Sequence, residues 1–163
     1  MLNSKNLSAP LWSFQFLRWW AVTNVIHHGD NIFVDYLLGT FLKTSFLRSL
    51  GYKIGKDTYA YMRSAVEADL IKIGDQAVID WSTIIGHNFD KLRLQMAEIT
   101  MKNRASSGYI AVLLPDSSLQ METTLLPLSA TLVGEEFPPN STWRGCPAEL
   151  VPLSDGSLQI IVQ

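Results

Sequence analysis

The apolar and polar residues between Ile99 and Glu135 follow the period of neither a helix nor an ordinary strand. Divided into sixes, the chain reads Ile-Thr-Met-Lys-Asn-Arg, Ala-Ser-Ser-Gly-Tyr-Ile, Ala-Val-Leu-Leu-Pro-Asp, Ser-Ser-Leu-Gln-Met-Glu, Thr-Thr-Leu-Leu-Pro-Leu and Ser-Ala-Thr-Leu-Val-Gly. First positions are small after Ile99: Ala105, Ala111, Ser117, Thr123 and Ser129. Third positions are mostly aliphatic: Met101, Ser107, Leu113, Leu119, Leu125 and Thr131. A helix repeats near 3.6 residues and a half-buried strand near 2. A period of six predicts a chain that turns a corner after each short strand. Three such strands close a triangular coil, the hexapeptide form of the parallel β-helix. Successive coils lie about 4.8 Å apart, the strand-pairing distance. Met101 is therefore expected beneath Leu119, and Ser107 beneath Leu125, with Leu113, Leu119 and Leu125 inside. Period alone also admits an ordinary β-rich domain.

The same phrase recurs upstream. Lys53-Ile54-Gly55-Lys56-Asp57 and Lys72-Ile73-Gly74-Asp75 lie 19 residues apart, one coil plus one residue. Ile73, Ile79 and Ile85 continue the sixfold spacing, with Ile71, Ala77 and Thr83 as their small or aliphatic partners. Gly55, Gly74 and Gly86 each follow an aliphatic residue and are expected at corners of unusual φ. The coil thus starts near Ile54, with strands over 53–85 and 99–135. Ile85 to Met101 is 16 residues, not a multiple of six. A loop must leave the coil between Gly86 and about Glu98.

The first 50 residues are patterned differently. Leu11, Trp12, Phe14, Phe16, Leu17, Trp19, Trp20, Val22, Val25 and Ile26 form a dense apolar run broken by Arg18. A second run covers Ile32 to Leu42 and contains Asp35. Neither is an uninterrupted membrane span, and no cleavage site of a secretory leader follows a basic start. Two readings stand: helices packed on the coil, or a segment lying on a membrane surface. Trp12, Trp19, Trp20, Arg18 and Lys43 are residue types that favour such a boundary. The organisation expected is an apolar helical segment over 1–50, the coil over 51–150 with its excursion near 86–98, and a tail over 151–163.

Composition narrows the partners. The net charge of −2 and the lack of a basic run give no case for nucleic acid. One cysteine, Cys146, rules out an internal disulfide framework and fits a reducing, cytoplasmic compartment. Membrane association through residues 11–42 is the added expectation. His27 and His28 are expected as loop residues at a helix end, with no ligand cluster for a metal. Cys146 is expected as a packed thiol.

The candidate chemistry lies in the excursion, Gly86-His87-Asn88-Phe89-Asp90-Lys91. Histidine ordinarily titrates at about pH 6.5, a range suited to a general base. A loop leaving a rigid scaffold is a common place for function.

Five phrases occur in order: Leu38-Gly39-Thr40, Leu47 to Gly55, Asp69 to Gly74, Gly86 to Asp90, and Trp143-Arg144-Gly145-Cys146-Pro147-Ala148. Together, over roughly Arg18 to Leu150, they resemble the C-terminal region of nonribosomal-peptide-synthetase-like proteins of the poly-lysine synthetase type. That region is similar to the hexapeptide-repeat acyltransferases. The resemblance implies a mainly β fold, a left-handed parallel β-helix preceded by the N-terminal helical segment. It implies an acyltransferase that moves an acyl or aminoacyl group from a thioester to an amine or hydroxyl. The donor would be phosphopantetheine on a carrier protein, or a CoA thioester, with no tightly bound cofactor and no metal. His87 would act as general base and Asp90 would orient it, with Asn88, Phe89, Trp143 and Arg144 contacting substrate. Backbone N–H groups would hold the oxyanion. The family loop runs His, Thr, Phe, Glu, Asp, Arg; here Lys91 and Leu92 depart from it. A homotrimer, or a pseudo-trimer of tandem copies, is implied, with activated substrate supplied from elsewhere. The competing reading is a degenerate, non-catalytic docking or assembly module. Trp143 also has a structural reading, closing the open end of the coil.

Overall fold

The structure is a computed structural model and describes residues 8–29, 35–62, 64–65 and 67–152. Expectations for residues 1–7, for Ile32 to Val34 and for 153–163 lie outside the described residues. The chain begins with strand β1 (Ser8–Pro10) and helix α1 (Phe14–Gly29). A 3-10 turn at Asp35–Leu37 leads to α2 (Phe41–Ser49). The second helix thus begins near the end of the apolar run read from sequence. His27 and His28 lie in the last turn of α1, not in a loop. Among the described residues no helix is long and apolar enough to cross a membrane.

Three parallel sheets then wind around one core. The first level is β2 (Lys53–Ile54), β3 (Tyr59–Tyr61) and β4 (Ser64–Ala65). The second is β5 (Ile71–Ile73), β6 (Val78–Asp80) and β7 (Thr83–Ile84). The chain leaves through β8 (His87–Asp90) and β9 (Arg93–Met96) and returns as β10 (Ile99–Met101). β11 (Ser106–Ser107) and β12 (Val112–Leu113) complete the third level. β13 (Ser118–Leu119), β14 (Thr124–Leu125) and an isolated bridge at Ala130 make the fourth. β15 (Glu136–Phe137) and β16 (Thr142–Arg144) make the fifth, and β17 (Glu149–Leu150) folds back antiparallel on β16. The sheets run β15-β13-β10-β5-β2, β17-β16-β14-β11-β6-β3 and β12-β7-β4.

The register is that of the hexads. Met101 pairs with Leu119 and Ser107 with Leu125, and Leu113, Leu119 and Leu125 are buried. From β10 onward each corner places one residue at positive φ: Arg104, Ile110, Asp116, Glu122, Leu128, Gly134 and Asn140, every sixth residue. The glycines serve a different purpose from the one expected. Gly55 and Gly74 are not at positive φ. A Cβ on Gly74 would stand 2.6 Å from Asn103 N, and one on Gly55 2.4 Å from Asp75 N. They are small because the next coil passes directly over them.

One inward position also shifts. The step from Ile79 to the next inward residue is five, so Ile84 is buried and Ile85 is only half-buried. Ser82 takes the small position instead of Thr83, its hydroxyl 2.9 Å from Ser107 Oγ. A corner that turns one residue early exchanges the two faces of the strand that follows it, here β7.

Both ends of the coil are covered. Leu47 of α2 joins the core against the first level. Arg48 Nε donates to Ile54 O at 3.0 Å, and Arg48 Nη2 to Gly55 O, satisfying carbonyls at the edge of β2. At the far end the Trp143 ring meets Phe137 at 4.8 Å and 89°. Cys146 is a free, exposed thiol in the turn beyond β16, not a packed one.

The excursion is an ordered hairpin rather than an open loop. Asp90 pairs with Arg93 around a two-residue turn, Lys91 at φ 46° and Leu92 at φ 59°. Positive φ at both central residues is the type I′ turn, whose twist matches the flanking strands. β1 adds to β9 antiparallel, giving the order β1-β9-β8. Trp19, Leu70, Leu94 and Met96 form a second, small core between α1, the hairpin and the coil, with Phe16 packed on it.

Candidate active site

Strand alternation decides what the hairpin presents. Residues 87 and 89 share one face of β8, and 88 and 90 share the other. The rings of His87 and Phe89 lie 5.6 Å apart. Trp19 of α1 packs edge-on to both, 4.7 Å from the imidazole and 6.0 Å from Phe89. The His87 side chain retains 22% exposure. Asn88, opposite Gln95, and Asp90, opposite Arg93, lie on the other face. Asp90 is exposed and is not the carboxylate that meets His87.

That carboxylate is Glu67, in the corner between β4 and β5. Its Oε1 is 2.6 Å from His87 Nδ1. Glu67 is 4% exposed, and burial of an unsatisfied carboxylate would be costly. Three donors offset this. Gly86 N donates to Oε2 at 3.1 Å, Trp19 Nε1 to Oε1 at 3.3 Å, and His87 Nδ1 supplies the third. With Nδ1–H committed to the carboxylate, the Nε2 lone pair of a neutral imidazole is free to accept a proton. Gly86 allows the approach: a Cβ there would lie 3.2 Å from Glu67 Oε2 and from Leu70 Cδ1.

Trp143 and Arg144 are not brought to this site. They stand on β16, which reaches β6 only through β14 and β11, three strand spacings away. Trp143 is half-buried with Nε1 donating to Ser141 Oγ at 2.8 Å, and Arg144 is exposed. Among the described residues no group of three or more His, Cys, Asp or Glu could hold a metal.

Sequence reasoning singled out His87 and Phe89, which the structure sets side by side, and did not name Glu67 or the contact Trp19 makes with it. A signal for Glu67 existed. The corner from β4 to β5 is long, since Ser64 to Lys72 spans more than a hexad. A corner that lengthens beneath an excursion is a place to look for its partner. Trp19 gave no such signal, because it sits among many aromatics in one run.

Solved structures of similar shape resolve the fold. A maltose O-acetyltransferase from Clostridium difficile 630 superposes with a TM-score of 0.65 at 11% identity, over 90% of this chain and 91% of that one. The fold is that of the hexapeptide-repeat acetyltransferases. A second member, from Vibrio cholerae O1 biovar eltor and solved with acetyl coenzyme A, gives a TM-score of 0.57 at 13% identity. It covers 88% of this chain and 91% of that one. In sequence, the delta-poly-L-ornithine synthetase of Acinetobacter baumannii (strain AB307-0294) is 29% identical over 148 residues. The match takes in 86% of this chain and 11% of that relative's length. No protein-family model matches the chain. Here the coil is interrupted by the hairpin that carries His87.

Proposed function

We propose that the chain is an acyltransferase of the hexapeptide-repeat type, with His87 as general base and Glu67 as the carboxylate that orients it. The donor is a thioester on phosphopantetheine, carried by a protein or by coenzyme A. The acceptor is an amine or a hydroxyl. The observation that carries the reading is the His87 Nδ1–Glu67 Oε1 contact of 2.6 Å, which leaves Nε2 as the proton acceptor. The acceptor's nitrogen or oxygen attacks the thioester carbon as its proton passes to Nε2. The tetrahedral intermediate collapses with cleavage of the carbon–sulfur bond, and the thiolate takes up the proton. An amide or ester and a free thiol result. The thioester is already activated, so no covalent enzyme intermediate is required.

Similarity of fold to an acetyltransferase solved with acetyl coenzyme A supports a thioester donor, and similarity to a poly-ornithine synthetase supports an amine acceptor. Phe89, exposed beside His87, is proposed to contact substrate. The reading includes a left-handed wind of the coil and assembly of coils about a threefold axis, as a homotrimer or a tandem pseudo-trimer. The outward sides of β7, β12 and the Ala130 bridge support assembly: Ile85, Val112, Leu114 and Leu132 lie there beside Thr83 and make that face largely apolar. Contact with a membrane surface through α1 and the turn before it is proposed from exposed Phe14 and Trp20 of the helix and Trp12 of the turn.

The test uses acetyl-CoA and S-acetylpantetheine as donors and L-ornithine amide and maltose as acceptors, following free thiol. Acceptor-dependent thiol release that disappears in His87→Ala is expected. No release with any pair, or equal release from His87→Ala, overturns the catalytic reading and leaves the docking module.

A further inference from the structure

Helix α1 turns Phe16 and Trp19 inward, and of its aromatic side chains only Trp19 is buried. Trp19 is 7% exposed, while its neighbour Trp20 is 54% exposed. The slot it fills is apolar, lined by Leu70, Leu94 and Met96, and a phenylalanine or leucine would satisfy the packing alone. The indole adds something those side chains lack, an N–H that can only donate. That N–H is aimed at Glu67 Oε1, the same oxygen that holds His87 Nδ1. Two donors from different parts of the chain therefore converge on one buried carboxylate oxygen. The third donor, Gly86 N, holds the other oxygen. Remove the indole N–H, and rotation of the carboxylate about its terminal torsion, which is broad, costs less. The imidazole is then free to adopt the other tautomer.

We propose that Trp19 is a positioning residue for His87, acting through Glu67, so that the N-terminal helix is a working part of the hairpin site. The inference rests on the acyl-transfer reading for its kinetic consequence only; the geometry it describes is read without any substrate. The indole keeps its hydrogen throughout. Its effect is to hold Oε1 where the imidazole N–H must point. A charge-assisted bond of this kind is stronger than one between neutral groups.

The experiment is nitrogen-15 spectroscopy of the full chain labelled at histidine and tryptophan, with His87 assigned by His87→Gln. In the parent chain His87 is expected as the Nδ1–H tautomer. In Trp19→Phe, which keeps the ring and loses the donor, the Nδ1 signal should move toward the unprotonated position while the melting curve stays cooperative. Glu67→Gln should disturb the tautomer at least as much, and adding Trp19→Phe to it should change nothing further. Phe16→Leu, which alters a ring contact to Trp19 but no polar contact, should leave the tautomer alone. With acetyl-CoA as donor, kcat of Trp19→Phe should fall roughly tenfold at unchanged KM, the size of one hydrogen bond to a charged group. A folded Trp19→Phe with the parent tautomer overturns the proposal. If Trp19→Phe does not fold, the indole resonance of the parent chain decides. Slow solvent exchange and a shift on Glu67→Gln support the contact; exchange as fast as that of exposed Trp12 and Trp20 overturns it. An inert chain with the expected tautomer response would sink the acyl-transfer reading and leave this one standing.

Discussion

At the residue scale, His87→Ala removes one of three donors to the buried Glu67 carboxylate and should cost some stability without abolishing the fold, since Gly86 N and Trp19 Nε1 remain. Acyl transfer should fall by about 10²–10⁴-fold, the usual contribution of a positioned base, as read by thiol release. Leu92 is the opposite case. It is 77% exposed and sits at φ 59°, where a residue with a Cβ is strained by about 1–2 kcal/mol. Leu92→Gly should therefore raise stability by about 1 kcal/mol, seen as a higher urea midpoint with an unchanged slope and unchanged transfer rate. A lower midpoint would mean that the leucine makes a contact worth more than the strain. The histidine was legible because its chemistry is singular and it stands where the sixfold register fails. Its carboxylate partner was not. The resemblance pointed to Asp90, but strand alternation turns that side chain to the other face, and Glu67 approaches from 20 residues upstream.

At the scale of elements, the hexad is as much a backbone rule as a side-chain rule. Small and aliphatic positions located the strands from Ile99 onward, and the structure keeps them in register. What the pattern could not carry was the early corner after Asp80, because Ile84 and Ile85 are equally apolar and only the turn decides which points inward. Nor could it separate the two uses of glycine. Gly74→Ala tests that distinction: the new methyl group would press on the backbone of Asn103, not on a strained φ. A loss of about 1–3 kcal/mol, typical of overpacking, is expected in chemical denaturation; a neutral result would show that the coils can part. Helix α1 presents apolar side chains on more than the face it buries, since Phe14, Leu17, Trp20 and Val25 are exposed, with Trp12 exposed in the turn before it. Replacing Trp12, Phe14 and Trp20 by serine should reduce co-sedimentation with lipid vesicles and leave the melting curve in place, because none of the three enters the small core. Unchanged sedimentation would assign that surface to something other than lipid.

At the scale of the whole molecule, the three faces differ. The sheet β15-β13-β10-β5-β2 carries Lys53, Lys72, Thr100, Ser118 and Glu136 on its strands at outward positions, a face suited to water. The face of β7 and β12 is more apolar outside, with Ile85, Val112, Leu114 and Leu132 beside Thr83. Light scattering should give three copies of the chain, and Leu132→Glu should return the monomer, since a charge buried in such a contact lacks a partner. A parent chain that stays monomeric across micromolar concentrations would discount assembly of this segment by itself.

The register has a mechanical consequence. Ser118 pairs with Thr100 on one side and Glu136 on the other, so each level is held chiefly by the levels directly above and below. Pulled from its C-terminal end, such a coil has no long shear interface to resist as a unit. It should unravel one level at a time, like thread from a spool. Each released level of 18 residues would lengthen the chain by about 60 Å. One step should stand out. Lys72 pairs with Thr100, 28 residues on, because the hairpin is stored in that level. Its release would add roughly 95 Å, and the force at which it yields would report how firmly β1 and α1 clasp the hairpin from outside.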